Sequence, residues 1–325
     1  AHYNENGERI IYIAIRRPDG YVGKPAEAGT EVFAMDYGNA SSSSDIATYD
    51  SGFPVGFSIR RQPATSQSWY ASSRLTATKS VTTDTSDAEV NDSNLTWDRN
   101  AGVGKWSGDL SSYLMWMWKR HAGFDVVCYE GNSDSVRIVQ HRGLGAAPDM
   151  IWIKNRDDTT NWIVGHKDLD GGNEPWTHYL VLNSNDGEGD YDYFVDKAPT
   201  EFSFEVTTGA VNDTNKSYIA LLFKSIDGIS SVGTFTGNGS TGSSGPFVTT
   251  GFQPRFIMVK RTDSSGYGYN VNDSVRGMDK RLAFNIPNAE IDRDAFTLSS
   301  TGFRVKTDNT SYNANGGTYV YYAHA

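Results

Sequence analysis

The sequence predicts an all-β protein of three tandem β-sandwich modules, jelly-roll or concanavalin-like, with roughly 100 residues in each. Three observations support this fold class. Aromatic residues make up 13% of the 325 residues, and glycine is abundant, a composition typical of short strands joined by polar turns. Apolar runs of strand length alternate with turn residues, and no amphipathic helical pattern stands out. The third observation is a long internal repeat.

The repeat is clearest in one phrase, which reads GAAPDMIWIKNRD at 145–157 and GFQPRFIMVKRTD at 251–263. The prolines of these copies, Pro148 and Pro254, are 106 residues apart, and an earlier copy, SGFPVGFSIRR, places Pro54 another 94 residues upstream. Such a spacing is too long for most solenoid repeats and for propeller blades of about 40–50 residues. It suits a complete small domain.

A second phrase also recurs: IIYIAIRR begins at residue 10, YLMWMWKR at 113, YIALLFKS at 218 and YVYYAHA at 319. The runs YLMWMW and YIALLF lack period-two alternation, so they must be covered on both faces of a sheet. These closing strands predict modules at 18–120, 121–225 and 226–325. Residues 1–17 would then hold the closing strand of an upstream or neighbouring module.

An unpaired apolar strand in water is an aggregation hazard, so the closing strand within 1–17 predicts a pairing partner. We therefore expect a homo-oligomer, a trimer or a higher assembly.

Weaker landmarks recur between these phrases. Trp69, Trp162 and Tyr269 follow their prolines by 15, 14 and 15 residues. Together with Tyr218 and Tyr319, they are interpreted as core or cross-strand packing residues. The segments SSRLTA, HYLVLN and KRLAFN take comparable places, as do EFSFEV and GFRVKT. The stretch 62–112 is rich in Ser, Thr and Asp and aligns poorly with the later units.

Charge and cysteine content exclude several classes of protein. The net charge of −10 opposes general attraction to nucleic acid and to anionic membranes. No apolar stretch approaches the roughly 20 residues of a membrane-spanning helix, so membrane insertion is not expected. The single cysteine, Cys128, rules out an internal disulfide and is predicted to be a small buried apolar residue.

Nothing in the sequence predicts a catalytic residue or a cofactor. GNGSTG at 237–242 has the glycine spacing of a dinucleotide loop, but no helical pattern follows it, so it is interpreted as a flexible loop. Asp186, Glu188, Asp190 and Asp192 form a weak calcium candidate because clustered carboxylates suit Ca²⁺. A solvated acidic loop is favoured, since EF-hand spacing is missing. The six histidines show no metal-ligand spacing.

Five aromatic residues outside the repeat frame are candidate binding residues, because exposed rings on polar, glycine-rich loops commonly contact sugars or proteins. The alternative is that each ring folds back onto its own module. The candidates are Trp106, Trp176, Tyr191, Tyr193 and Tyr267.

Several phrases together resemble virion proteins of marine and cyanobacterial tailed phages. They are YIAIRRPDG, KPAEAGTEVFAMD, YLMWMWKRHAGFDVVCYEGN, GLGAAPDMIWIKNRD, NWIVGHK, YIALLFKSIDGISSVGTFTGNG, GFQPRFIMVKRTD and TYVYYAHA. Such proteins are tail-fibre-like or other structural components, and the resemblance supplies no catalytic residues. It implies a non-enzymatic virion protein on the phage surface, outside the cell. Its partners would be other virion proteins and a host-surface glycan or protein.

Two other functions remain open from the sequence. One is a carbohydrate-binding, adhesin-like β-sandwich of a secreted protein. The other is a glycan-degrading spike enzyme, which would need a pair of carboxyl groups facing each other in a groove. A cluster of exposed aromatic rings without such a pair would favour binding over hydrolysis.

Overall fold

A computed structural model describes residues 28–40, 48–97, 100–105, 108–120 and 122–325. Within these ranges the chain is all-β, as predicted, and is built of antiparallel sheets. The predicted closing strand at 10–17 lies outside the described residues. The described helical segments have at most four residues, and none is long and apolar enough to cross a membrane. They are Gly29–Glu31, Arg74–Thr76, Leu169–Gly172, Gly242–Ser244 and Thr310–Asn313.

The strands fall into three consecutive groups, here called repeats 1, 2 and 3. Repeat 1 contains β1 (Phe33–Tyr37), β2 (Tyr49–Asp50), β3 (Phe57–Arg61), β4 (Tyr70–Ser73), β5 (Lys79–Thr82), β6 (Val90–Asn91), β7 (Leu95–Thr96), β8 (Gly102–Lys105) and β9 (Leu114–Trp118). Repeat 2 contains β10 (Phe124–Glu130), β11 (Arg137–Gln140), β12 (Met150–Asn155), β13 (Ile163–His166), β14 (His178–Val181), β15 (Gly189–Asp190), β16 (Ser203–Val206) and β17 (Ser217–Phe223). Repeat 3 contains β18 (Ser230–Thr236), β19 (Phe247–Thr249), β20 (Phe256–Arg261), β21 (Asn270–Asp273), β22 (Gly277–Ala283), β23 (Ile291–Asp292), β24 (Phe296–Ser299), β25 (Gly302–Val305) and β26 (Thr318–His324).

Each repeat forms a six-stranded large sheet with the same strand order. The orders are β1-β9-β3-β4-β5-β6, β10-β17-β12-β13-β14-β15 and β18-β26-β20-β21-β22-β23. The remaining strands form a small sheet in each repeat, namely β2-β8-β7, β11-β16 and β19-β25-β24. The predicted boundaries after residues 120 and 225 lie in the links between successive large sheets.

The central strands of the large sheets are buried on both faces. One hydrophobic core contains residues of all three large sheets, including Trp116, Leu221 and Tyr322. Three further cores are each confined to one repeat, between its large sheet and its small sheet. Every residue of β9, and of β17 from Tyr218 onwards, is therefore buried. This confirms the prediction drawn from their unalternating apolar runs.

The three repeats are joined to one another in a closed cycle by equivalent backbone hydrogen bonds. In each repeat, the glutamate just before the last strand of the large sheet donates its N–H to a carbonyl of another repeat. The pairs are Glu89 to Arg156 at 2.7 Å, Glu188 to Thr262 at 2.8 Å and Glu290 to Pro63 at 2.8 Å. Repeat 1 thus contacts repeat 2, repeat 2 contacts repeat 3, and repeat 3 contacts repeat 1.

The cations in the repeated phrase hold these contacts together. Arg61, Lys154 and Lys260 take the same place in β3, β12 and β20, and all three are fully buried. Each donates hydrogen bonds to backbone carbonyls of the neighbouring repeat. The acceptors are Pro287 O for Arg61 at 3.1 Å, Ser86 O for Lys154 at 3.1 Å and Asp186 O for Lys260 at 2.7 Å. Burial lowers the pKa of each lysine to about 8.

The in-frame aromatic residues lie in the core, as predicted. Trp69, Trp162 and Tyr269 are fully buried and lie at the contacts between repeats. The indole Nε1 of Trp69 donates to Ala283 O at 2.9 Å, and that of Trp162 donates to Thr82 O at 2.7 Å. These bonds join neighbouring repeats and satisfy buried indole donors.

Two finer expectations need correction. SSRLTA is not the counterpart of HYLVLN, because it covers the end of β4 and the helical turn Arg74–Thr76. In repeat 1 the strand equivalent to HYLVLN is β5, which takes the same place in the strand order as β14. The link before this strand differs in length among the repeats, so counting residues along the sequence assigned the wrong segment. Cys128 is only partly buried, although it packs against the shared core and its thiol pKa is raised by burial.

Candidate functional site

The candidate binding residues take four different environments. Trp176 follows the alternative interpretation, in which the ring folds back onto its own module: it is only 5% exposed and packs edge-on against Phe194, with ring centroids 5.4 Å apart. It fits there because Gly165 leaves room beneath both rings. Tyr267 is half-buried under the guanidinium of Arg261, 4.7 Å away. The side chain of Trp106 lies outside the described residues.

Tyr191 and Tyr193 come together on repeat 2 and are joined by Tyr179, and these three residues are called the tyrosine cluster. The ring centroids of Tyr191 and Tyr193 are 4.5 Å apart, and those of Tyr193 and Tyr179 are 4.9 Å apart. Tyr191 is 50% exposed, whereas the other two are half-buried. The cluster therefore presents the exposed ring of Tyr191, which packs against Tyr193, and Tyr193 in turn packs against Tyr179.

The position of Tyr179 depends on a glycine in the adjacent strand. A Cβ atom added at Gly189 would lie 2.7 Å from the Tyr179 ring, so the ring lies directly against the β15 backbone. Tyr179 itself was not predicted as a binding residue, because it occurs in a segment assigned to the repeated framework. The one available signal was that KRLAFN, the corresponding segment of repeat 3, has no tyrosine at this position. That difference could have identified Tyr179 as a candidate binding residue.

Two open grooves flank Tyr179. The larger, with a volume of about 580 Å³, is lined by Tyr179 and Gly187–Gly189 of repeat 2 and by Thr262–Ser265 of repeat 3. The other, of about 320 Å³, is lined by Tyr179, Tyr193 and Asn161 of repeat 2 and by Ser86 of repeat 1. Both grooves are lined by polar groups beside an aromatic ring, which is the composition of many ligand sites.

An acidic cluster adjoins the larger groove. Ligand-capable atoms of Asp170, His178 and Glu188 lie within 4.8 Å of one another. Burial raises the pKa of Glu188, and the nearby negative charges of Asp170 and Asp263 add to this, while His178 opposes it. An imidazole with two carboxylates suits zinc-type ions better than Ca²⁺, which takes six to eight oxygen ligands.

The predicted calcium loop does not converge in the described part of the chain. Of its four carboxylates, only Glu188 belongs to the acidic cluster. Asp186 accepts a hydrogen bond from Ser184 Oγ at 2.6 Å, Asp192 accepts one from the backbone of Asp196, and Asp190 is exposed. The grouping with His178 escaped the sequence analysis because its members come from three separate segments, so no fixed ligand spacing exists.

Residues 75–325 match the model of a family described as a domain of unknown function, DUF7483, and the chain belongs to that family. The match begins within repeat 1, just after β4, and continues through repeats 2 and 3. No curated protein and no solved structure matches the chain.

Proposed function

We propose that the protein is a non-enzymatic structural component of a phage virion, a tail-fibre or capsid-fibre segment whose loops attach to the host surface. The observation that carries the attachment role is the tyrosine cluster between two open grooves. Placement in a virion is supported by the resemblance of the repeated phrases to phage structural proteins. The ligand would be a glycan or a protein exposed on the host cell.

We also propose that each repeat is one β-sandwich module of jelly-roll or concanavalin-like type. The common strand order of the large sheets and the separate core under each small sheet support this. The assembly proposed is a homo-oligomer, a trimer or larger, joined to other virion proteins. Light scattering with negative-stain imaging tests it: a rod-like oligomer supports the fibre, whereas a compact monomer contradicts it.

The tyrosine cluster is suited to sugar rings for a physical reason. A flat aromatic face covers the apolar C–H face of a sugar, while neighbouring polar groups bond its hydroxyls. Asn161 lies in one groove and Asp263 with Ser265 in the other. Because Tyr191 packs against the Tyr193 ring, less side-chain entropy is lost when a ligand contacts it. Weak sites on several chains of one fibre would combine by avidity.

Replacing Tyr191 with alanine is expected to weaken binding to host cells by about tenfold or more, since it removes the exposed ring of the site. Phe202→Ala is the matched control, because Phe202 is a similarly exposed aromatic of repeat 2, at 57%. Binding of the purified chain to intact host cells and to their extracted surface polysaccharide would be measured for both variants. Equal loss in both variants would contradict a site at the tyrosine cluster.

The same extracts separate the enzyme alternative from attachment. A binding protein leaves the polysaccharide chain length unchanged over long incubation. Shortening of the polysaccharide that disappears in Glu188→Gln would instead establish a glycan-degrading enzyme and overturn the proposal.

A further inference from the structure

Repeat 1 contains an open cavity that is distinct from the tyrosine cluster. Its volume is about 390 Å³, within the range of small-ligand sites. It is lined by Arg60, Gln67, Tyr70, Asp92, Lys105 and Tyr113. Two cations and one carboxylate therefore face a space between the large sheet and the small sheet.

Comparison with the other repeats shows that these cations replace core residues. Arg60 in β3 takes the place of Ile153 in β12 and of Val259 in β20, as the pairing of each strand with its neighbours shows. Both counterparts are at most 2% exposed and belong to the core of their own repeat.

Lys105 shows the same replacement from the opposite sheet. It is the last residue of β8, where β16 ends in Val206 and β25 ends in Val305, both fully buried. Repeats 2 and 3 thus close this space with apolar pairs. Repeat 1 opens it and lines it with two positive charges, although burying charge is costly unless the charge is compensated.

Compensation of these two charges by the described residues is incomplete. Asp92 accepts a hydrogen bond from Arg60 Nη2 at 3.4 Å and another from Lys105 Nζ. Burial alone would raise the pKa of Asp92, but these partners outweigh it and hold that pKa below its ordinary value. Among the residues that the structure describes around this cavity, one carboxylate pairs with two cations, which leaves one positive charge.

The guanidinium of Arg60 also has an unused donor. The Arg60 side chain is 8% exposed, and its buried Nε has no hydrogen-bond acceptor among the described residues. The face of the guanidinium lies over the Tyr70 ring, 5.5 Å from its centroid, which fixes its orientation. No described residue therefore satisfies this donor, and a buried donor is costly to leave unpaired.

We propose that this cavity binds a small monoanion bearing a carboxylate and several hydroxyls, a sugar acid. The carboxylate would pair with Arg60 and Lys105 and neutralise their excess charge. Gln67 and Tyr113, which are joined by a hydrogen bond of 3.1 Å, are available to hydroxyl groups, and the Tyr70 ring provides a wall. This proposal does not depend on the host-attachment role of the tyrosine cluster.

Titration calorimetry with sodium glucuronate, glucose and inorganic phosphate as separate probes tests the proposal. Glucuronate is expected to bind, and glucose and phosphate are expected to bind at least about tenfold more weakly, because a charge-assisted bond and hydroxyl contacts are both required. Equal affinity for phosphate would overturn the sugar-acid assignment, and equal affinity for glucose would overturn the role of the charge. Absence of glucuronate binding would also overturn it.

The chain supplies its own control variant. Arg60→Ile with Lys105→Val restores the residue types of repeats 2 and 3, and Asp92→Asn is added because that carboxylate would otherwise lose both of its cationic partners. Replacing a whole buried ion network by uncharged residues is often neutral or stabilising. This triple variant is expected to fold and to lose glucuronate binding by about tenfold or more. Should it not fold, Lys105→Gln alone serves as the second variant. Retained binding in the folded variant overturns the proposal, whereas Tyr191→Ala is expected to bind glucuronate normally.

Discussion

Replacing Trp69 with alanine is expected to lower the free energy of unfolding of the whole chain by about 4 kcal/mol. Trp69 is fully buried at the contact between repeats 1 and 3, where it packs against Trp116 and Phe284 with ring centroids 5.2 and 4.8 Å away. The substitution leaves a large cavity and removes the indole donor to Ala283. Both losses fall on the core that all three large sheets share.

The shared core makes the shape of the transition informative. Because residues of the three repeats pack in one core, denaturant should unfold the chain in one cooperative transition, and Trp69→Ala should shift all of it. Independently folded tandem domains would instead give several transitions, of which the substitution shifts only some. Tryptophan fluorescence and circular dichroism followed together distinguish these outcomes.

Two further variants calibrate this effect. Trp69→Phe keeps most of the ring but loses the indole hydrogen bond, so a loss of about 1–2 kcal/mol is expected. Ile138→Ala, at a residue 60% exposed in repeat 2, should change stability by no more than about 0.5 kcal/mol. A Trp69→Ala loss as small as that of Ile138→Ala would show that the contact between repeats 1 and 3 does not hold in solution.

The sequence predicted the strands well because their signal is local. The apolar runs of β9 and β17 predicted that these strands are buried on both faces. The recurrence of Trp69, Trp162 and Tyr269 predicted that these residues lie in the core. The closed cycle of repeats was not predicted. Its bonds join backbone groups far apart in the chain, such as Glu290 and Pro63, and no spacing within one repeat specifies which neighbour it contacts.

The buried cation that recurs in each repeat also has a role that the sequence could not predict. Lys154 and Lys260 stood out in the sequence as part of a recurring phrase, but their acceptors are backbone carbonyls, and one acceptor of each lysine belongs to another repeat. Backbone carbonyls carry no residue-type signal, so only the fold could reveal the role of these lysines. The cavity in repeat 1 could not be predicted from the sequence either. It is recognised only once the fold shows that Arg60 and Lys105 face each other at positions where the other repeats have apolar residues.

The candidate binding site was predicted in part for a similar reason. Polar, glycine-rich surroundings marked Tyr191 and Tyr193, which do lie together. The same criterion placed Trp176 at the surface, whereas it is buried beside Gly165. Glycine near an aromatic residue can indicate an exposed loop or a cavity that accepts a ring, and the two cases look alike until the opposing strand is known.

Acid is expected to destabilise the fold over an unusually high pH range because two histidines are buried in the neutral form. Burial lowers the pKa of both His166 and His324 to about 3. The carboxylate of Asp168 lies 3.9 Å from His166 Nδ1, but that nitrogen already accepts the backbone N–H of Asp168 at 3.1 Å. The imidazole is therefore neutral in the folded protein.

The sign of the effect follows from proton binding. Between about pH 6.5 and pH 3 the unfolded chain binds protons at these histidines and the folded chain does not, so the free energy of unfolding falls as the pH falls. A shift of this size contributes on the order of 3 kcal/mol per histidine at pH 4. The loss begins above the range in which ordinary carboxyl groups titrate.

His324→Phe isolates half of this effect without disturbing the fold, since the equivalent residue in repeat 2 is Phe223 and that in repeat 1 is Trp118. The ring of His324 already packs on Phe33, with centroids 4.6 Å apart, so a phenyl ring fits the same contacts.

Urea unfolding at pH 7 and pH 4 should show a smaller stability loss in His324→Phe than in the parent protein, by on the order of 3 kcal/mol. If His324→Phe lost as much stability between these pH values as the parent, His324 would not be buried neutral, and the packing of β26 against β1 would have to differ from that described.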